Sequence, residues 1–247
     1  MRTVLITGAS GGVAQALAAK LRNTGFRLAL VSRDISALNA HADDLLIQAD
    51  VASYAGAQLA FKTAGEAFGA PPTAFAHCAG STVIAPLART KEEQYRGCMA
   101  ANIDSAFFCT QAYLAALSDA KQPGSVVLFS SVVAGMGVSN HAAIAAAKGA
   151  IEALTRSLAA DYAGLGVRIN CVAPGLMRSP MTARMLGSEA AQKQIAAQYP
   201  LGFFGDASDG AEAAVFLLSD QARWITGQIL HLDGGFSAIR QIGRAHV

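Results

Sequence analysis

Charge is scarce in this sequence. Only 15% of its 247 residues are Asp, Glu, Lys or Arg, and the formal net charge is +2. No basic block is present, which excludes a dedicated nucleic-acid binder. An uninterrupted apolar run of about 18 residues is missing too, so no membrane span is expected. Cysteine is rare: Cys78, Cys98, Cys109 and Cys171 are scattered without CxxC spacing. They read as reduced core thiols of a cytoplasmic protein, not as a disulfide framework or a metal site. MRTVLIT leads straight into a strand, leaving no room for a signal peptide. Internal repeats and low-complexity linkers are also lacking.

What is abundant is apolar sequence, at 53%, which suits a parallel sheet buried on both faces. Short β-rich runs alternate with longer helical ones, the pattern of a single α/β domain built on a doubly wound, seven-stranded parallel sheet of Rossmann type, with helices on both faces. Strands are expected at Arg2–Thr7, Arg27–Ser32, Leu45–Ala49, Thr73–His77, Ser125–Ser130, Arg168–Val172 and Ile229–Leu232. Helices are expected near Gly12–Asn23, Tyr54–Phe68, Lys91–Leu117, Ala142–Leu165 and Asp209–Leu218, with a short one near Ile35–His41. The alanine-rich start of Ala142–Leu165 suits close packing, on the sheet or on another subunit. The domain is expected to span 1–240. The final residues 241–247, QIGRAHV, read like a translated sequencing adapter and are expected to be a non-native tail.

After the first strand comes Thr7-Gly8-Ala9-Ser10-Gly11-Gly12-Val13-Ala14. A strand, a glycine-rich turn and a helix together aim backbone N–H groups and a positive helix end at a pyrophosphate. Further matches follow: Asp50-Val51 after the third strand, His77-Cys78-Ala79-Gly80 after the fourth, Asn102 in AANI, Ser131, Lys148, Pro174-Gly175, Ser179, WITGQ from Trp224 and Asp233-Gly234-Gly235. Over residues 1–238 this set resembles the short-chain dehydrogenase/reductase family, in particular its β-ketoacyl-ACP reductase-like members. The resemblance implies a nicotinamide dinucleotide held by Gly8, Ser10, Gly11, Gly12, Val13, Asp50, Val51, Ala79, Gly80, Lys148, Pro174, Gly175 and Ser179. It also implies a homo-oligomer, dimer or tetramer. Ala14 replaces the last glycine of the family turn, and His77-Cys78 replaces two asparagines.

The end of the second strand bears on cofactor choice. An acidic residue there would grip a ribose 2′-hydroxyl. Ser32 stands in that place, followed by Arg33, and an arginine suits a 2′-phosphate. NADP(H) is therefore favoured over NAD(H), although Asp34 would argue the other way in a register shifted by two.

The resemblance also implies a catalytic set of Asn, Ser, Tyr and Lys. Asn102, Ser131 and Lys148 match, but the tyrosine position is Ile144. Ile144 and Lys148 lie four apart on one helix face, and isoleucine has no proton to give. His141, three residues earlier, is the candidate substitute acid, because imidazole exchanges protons near neutrality, unless it only lines the pocket mouth or caps the helix. His41, His77 and His231 have weaker claims. The segment Met177–Phe204 takes the family's lid position and carries Met177, Met181, Met185, Leu186, Tyr199, Phe203 and Phe204. An apolar ketone or secondary alcohol is the expected partner, unless those residues serve core or subunit contact. Three functions remain open: an oxidoreductase with an unusual proton donor, a silent NADP(H)-binding sensor or partner subunit, and a non-redox lyase or isomerase.

Overall fold

The computed structural model describes residues 2–239; the expected tail lies outside them. Seven strands form one parallel sheet: β1 (Thr3–Thr7), β2 (Arg27–Ser32), β3 (Leu45–Gln48), β4 (Ala74–His77), β5 (Gly124–Phe129), β6 (Val167–Pro174) and β9 (Ile229–Leu232). Their order is β3-β2-β1-β4-β5-β6-β9. Strand order reverses between β1 and β4, so the crevice at their carboxyl ends is where a doubly wound sheet receives a ligand. The register there sets Thr7 against His77.

Helices α1 (Gly12–Arg22) and α7 (Ala207–Leu218) cover one face. They enclose a core with Leu17, Leu21, Leu30 and Leu217. The other face carries α2 (Tyr54–Phe68), α4 (Ser105–Ala120) and α5 (Ala142–Tyr162), over Phe61, Phe75, Tyr113 and Ile169. β1 is buried along its whole length, as its apolar run requires. On α5, Ala143, Ile144, Ala147, Ile151, Thr155 and Ala159 form a buried stripe at helical spacing, and the helix packs on β6. Ile151 and Ala159 of that stripe join the core over the sheet, while Ala143 and Ile144 pack with Cys98, Val83 and Val133. No helix among the described residues is long and apolar enough to cross a membrane.

Two expectations fail for identifiable reasons. Ile35–His41 is not helical, because the Asp34 carboxylate accepts the Ser36 N–H at 2.9 Å and the Ser36 hydroxyl at 2.6 Å, bending the chain into a turn. Lys91–Leu117 is not one helix: α3 (Glu92–Met99) passes through a π-turn at Ala100–Asp104 before α4. Asn102 donates back to the Cys98 carbonyl in α3 and Ser105 to the Ala101 and Asn102 carbonyls of the turn, and such π-bulges favour functional sites. The lid segment is more ordered than its sequence suggests. It holds α6 (Glu189–Ala196), capped by Ser188, and is tied down by a parallel pair of short strands, β7 (Met177–Arg178) and β8 (Gly205–Asp206).

Candidate active site

The glycine turn is shaped first by protein packing. Gly8 has φ +63°, and a β-carbon there would stand 2.5 Å from Ala79 N. Glycine at position 8 therefore lets β1 and the chain after β4 approach closely. Gly12 touches the start of the lid: a β-carbon would lie 3.3 Å from Ser179 Cβ and from Pro180 Cδ. Ser179 is thus brought over the glycine turn. Helix α1 begins after Gly11 with no side-chain cap and no acidic residue in its first turn, leaving the electropositive end unneutralised for an anion. Ser10 is exposed, and its carbonyl accepts from Gln15 Nε2 at 3.1 Å.

Around the rest of the crevice the expected residues divide. Arg33 is exposed and makes no ion pair among the described residues. Ser32 is buried, and Asp34 is turned onto Ser36. Asp50 accepts the Ala52 N–H at 3.1 Å and opens the turn into α2, while the Val51 side chain belongs to the core. Pro174 ends β6, and Gly175 is required by Tyr199, whose Cε1 would lie 2.9 Å from a β-carbon. Tyr199 is buried, and its hydroxyl accepts the Leu176 N–H at 2.7 Å. It therefore anchors the lid. A cavity of about 470 Å³, lined by Met177, Tyr199, Leu201 and Phe203 together with the carboxylates Asp209, Glu212 and Asp233, lies beneath the lid and includes neither Ser131 nor Lys148.

Asn102, Gly80 and Lys148 converge. A β-carbon on Gly80 would stand 2.9 Å from Asn102 Oδ1 and 3.5 Å from Lys148 Nζ. Asn102 is fully buried on the π-turn and donates through Nδ2 to the carbonyls of Cys98 at 2.8 Å and Ser81 at 3.0 Å. Its Oδ1 has no hydrogen-bond partner, an acceptor a native interior rarely leaves unused. Lys148 reaches from α5 to β5 and donates to the Phe129 carbonyl at 2.8 Å. Burial pulls its ammonium down to about 8. Ser131 follows β5, with its hydroxyl accepting the Val133 N–H at 3.4 Å.

Ile144 is 4% exposed and packs with Cys98, Ala143, Val83 and Val133. The position four residues before the lysine is therefore an apolar plug. His141 caps α5 half-exposed, with Nδ1 2.6 Å from the Ser139 carbonyl, to which it donates. The neutral ring then presents Nε2 as an acceptor only.

One polar relay escapes the sequence reading. His77, 1% exposed, places Nδ1 2.9 Å from Thr7 Oγ1 and Nε2 3.0 Å from Ser105 Oγ. Ser105 Oγ donates to the Ala101 and Asn102 carbonyls, so His77 Nε2–H donates to Ser105 and Nδ1 accepts from Thr7. Burial, with the nearby Lys148 charge, pushes His77 down to about 3 and keeps it neutral. The histidine so joins the residue before the glycine turn to the π-turn carrying Asn102. A buried histidine on a strand, with Ser and Thr elsewhere, was the available signal, but its partners are 70 and 28 residues away. His77→Ala is expected to cost about 2–5 kcal/mol in urea unfolding, since it opens a cavity and strands the Thr7 hydroxyl. Among the described residues no group of three or more His, Cys, Asp or Glu could hold a metal ion. Burial also pushes the Cys78 thiol up to about 12.

Comparison with known proteins fits this geometry. The family model described as Enoyl-(Acyl carrier protein) reductase matches residues 8–237. The chain is 36% identical to 2-(S)-hydroxypropyl-CoM dehydrogenase 3 of Xanthobacter autotrophicus, over 96% of each chain. It belongs to the short-chain dehydrogenase/reductase family. A short-chain dehydrogenase/reductase of Burkholderia thailandensis superposes with a TM-score of 0.87 at 32% identity, covering 97% of this chain and 94% of that one. Another relative, 35% identical over 87% of this chain and 96% of its own length, is named inactive 2-(S)-hydroxypropyl-CoM dehydrogenase 2 of Xanthobacter autotrophicus. The glycine cradle, the uncapped α1 terminus and the orphaned Asn102 Oδ1 all fit the nicotinamide cofactor of this oxidoreductase family.

Proposed function

We propose that the chain is an NADP(H)-dependent oxidoreductase that interconverts a carbonyl and a secondary alcohol, using a proton donor other than tyrosine. The observation carrying this reading is the convergence of Asn102 Oδ1 and Lys148 Nζ on Gly80, at the mouth of a sheet whose glycine turn remains open to an anion. Retention of Asn102, Ser131 and Lys148 together supports this reading over a silent fold, which would need Lys148 alone to hold the cofactor. In this reading Gly8, Ser10, Gly11, Gly12 and Val13 hold the pyrophosphate, and Asp50, Val51, Ala79 and Gly80 border the adenosine half. Pro174, Gly175 and Ser179 border the nicotinamide, and Lys148 holds its ribose. The cofactor supplies or accepts a hydride. Ser131 holds the substrate oxygen, and Asn102 fixes the π-turn behind Lys148. His141, at the helix mouth, is placed to exchange protons with solvent.

The exposed, unpaired Arg33 supports NADP(H) over NAD(H). Arg33→Ala is expected to weaken NADPH by about 10–150-fold, the loss of a charge-assisted contact of roughly 1.5–3 kcal/mol. Its NADH affinity should be unchanged. Fluorescence titration with both cofactors checks this, and an equal loss of the two would contradict it. Exposed Met181, Met185 and Phe203 on the lid support an apolar substrate. The exposed Phe107 and Trp224 supply apolar surface for a homo-oligomer, and light scattering would count its subunits.

A second reading, a silent NADP(H)-binding sensor or partner subunit, is favoured by one observation. Ile144 is packed into an apolar cluster and gives no proton. NADPH consumption against a panel of ketones separates the two, with Ser131→Ala as the control. Turnover that the control loses supports the oxidoreductase, and tight binding without turnover supports the silent protein.

A further inference from the structure

Ser130 stands between Phe129, whose carbonyl accepts from Lys148 Nζ at 2.8 Å, and Ser131. It is buried, and its two donors reach different elements. The Ser130 N–H donates to the Val172 carbonyl of β6 at 2.8 Å. The hydroxyl donates to Glu152 Oε1 on α5 at 2.8 Å, with the Lys148 carbonyl 3.2 Å away. Glu152 is partly buried, and among the described residues it makes no ion pair. A hydrogen bond to a charged acceptor is roughly twice as strong as one between neutral groups, so this contact is a firm link between strand end and helix. Its place gives it weight, because the ladder with β6 ends at Phe129. Beyond it Ser131 is extended, and a 3₁₀ turn at Val132–Ala134 leads the chain away. With no ladder to fix it, the direction of the Ser131 hydroxyl follows from how Ser130 is held.

We infer that Glu152 is a positioning residue: its hydrogen bond to Ser130 holds the end of β5 on α5, one helical turn beyond Lys148, and so sets the Ser131 hydroxyl relative to the Lys148 ammonium. This inference rests on the oxidoreductase reading above. Glu152 acts through Ser130 and takes no part in the chemistry itself. Lys148 has its own tie to the strand end, through Nζ to the Phe129 carbonyl. Loss of the Glu152 contact therefore leaves the lysine anchored and frees Ser131. Turnover suffers and cofactor binding does not, since misplacing a reacting group by about 1 Å can cost about 10²-fold in rate.

The test uses Glu152→Leu, Glu152→Gln, Ser130→Ala and the double variant Ser130→Ala/Glu152→Leu. Glutamine keeps a carbonyl oxygen to accept the serine proton, whereas leucine keeps none. Glu152→Leu and Ser130→Ala are each expected to lower kcat by about 10–100-fold, with NADPH affinity within about threefold. Glu152→Gln should stay within about threefold of wild type in kcat. The double variant should be no worse than either single one, because one contact is removed in all three. On the cofactor-free protein, amide hydrogen exchange over residues 131–136, read by mass spectrometry, should quicken by about tenfold in the leucine and alanine variants and not in Glu152→Gln. Additive losses, a glutamine variant as poor as leucine, or unchanged kcat and exchange in Glu152→Leu and Ser130→Ala would each overturn the assignment while leaving the oxidoreductase reading intact. Wild-type protein that turns over no carbonyl removes the oxidoreductase reading, and exchange over 131–136 then decides by itself whether Glu152 holds Ser131.

Discussion

Ile144→Tyr is expected to raise the rate of carbonyl reduction, by less than a positioned general acid contributes where none is present. That contribution is roughly 10²–10⁴-fold, or about 3–5.5 kcal/mol of barrier, and the wild type already uses another donor. Position 144 lies one helical turn before Lys148 on the buried stripe of α5. A phenol there would sit beside an ammonium that lowers its pKa by charge. The change is also a small-to-large substitution at a site only 4% exposed, which costs typically 1–3 kcal/mol. Val83 and Val133 are only partly buried around it, so the ring has a way out toward the crevice. Activity should therefore rise while the midpoint of thermal unfolding falls. Single-turnover NADPH oxidation beside calorimetry reads both.

Gly8→Val is expected to abolish measurable NADPH binding and to cost about 3–6 kcal/mol of stability. Two effects add. A side chain at φ +63° carries a backbone strain of about 1–3 kcal/mol. The new β-carbon would also stand 2.5–2.7 Å from main-chain atoms of Cys78 and Ala79. Those atoms cannot retreat freely, because Cys78 N donates to the Thr7 carbonyl at 3.2 Å and β4 is locked between β1 and β5. Gly25 separates the two contributions. Its φ is +78°, but a β-carbon there would meet nothing within 4 Å. Gly25→Ala should cost only the strain, about 1 kcal/mol. Denaturant unfolding of the two variants side by side tests this. Equal losses would mean that the Gly8 contact to the β4 turn contributes nothing.

The strands were legible because each is a short run followed within three residues by glycine, serine or aspartate, and burial of both sheet faces keeps the central ones apolar. The Asn102 turn was legible as a motif but not as a break in the helix. Its π geometry depends on Asn102 and Ser105 side chains finding the carbonyls of Cys98, Ser81 and Ala101, which no local propensity encodes. Helix α6 was missed for a different reason. EAAQKQIA has no buried residue, so it shows none of the apolar periodicity that announces a packed helix. At Ile35–His41 the helical pattern lost to a side-chain turn at Asp34. Within the site, Gly80, Asn102 and Lys148 were readable from motif spacing, and the structure brings them together. The Thr7–His77–Ser105 relay was not readable, since it joins three strand and helix ends distant in sequence. His77 there restores hydrogen bonding that two missing asparagines had placed in question.

The most direct test of the central claim is NADPH oxidation by the wild-type chain with a panel of apolar ketones, run beside Ser131→Ala and Ile144→Tyr. The account expects slow but saturable wild-type turnover, lost in Ser131→Ala and raised in Ile144→Tyr. Tight NADPH binding with no wild-type turnover, and activity only once the tyrosine is supplied, would contradict it and leave a cofactor-binding protein whose chemistry ended at position 144.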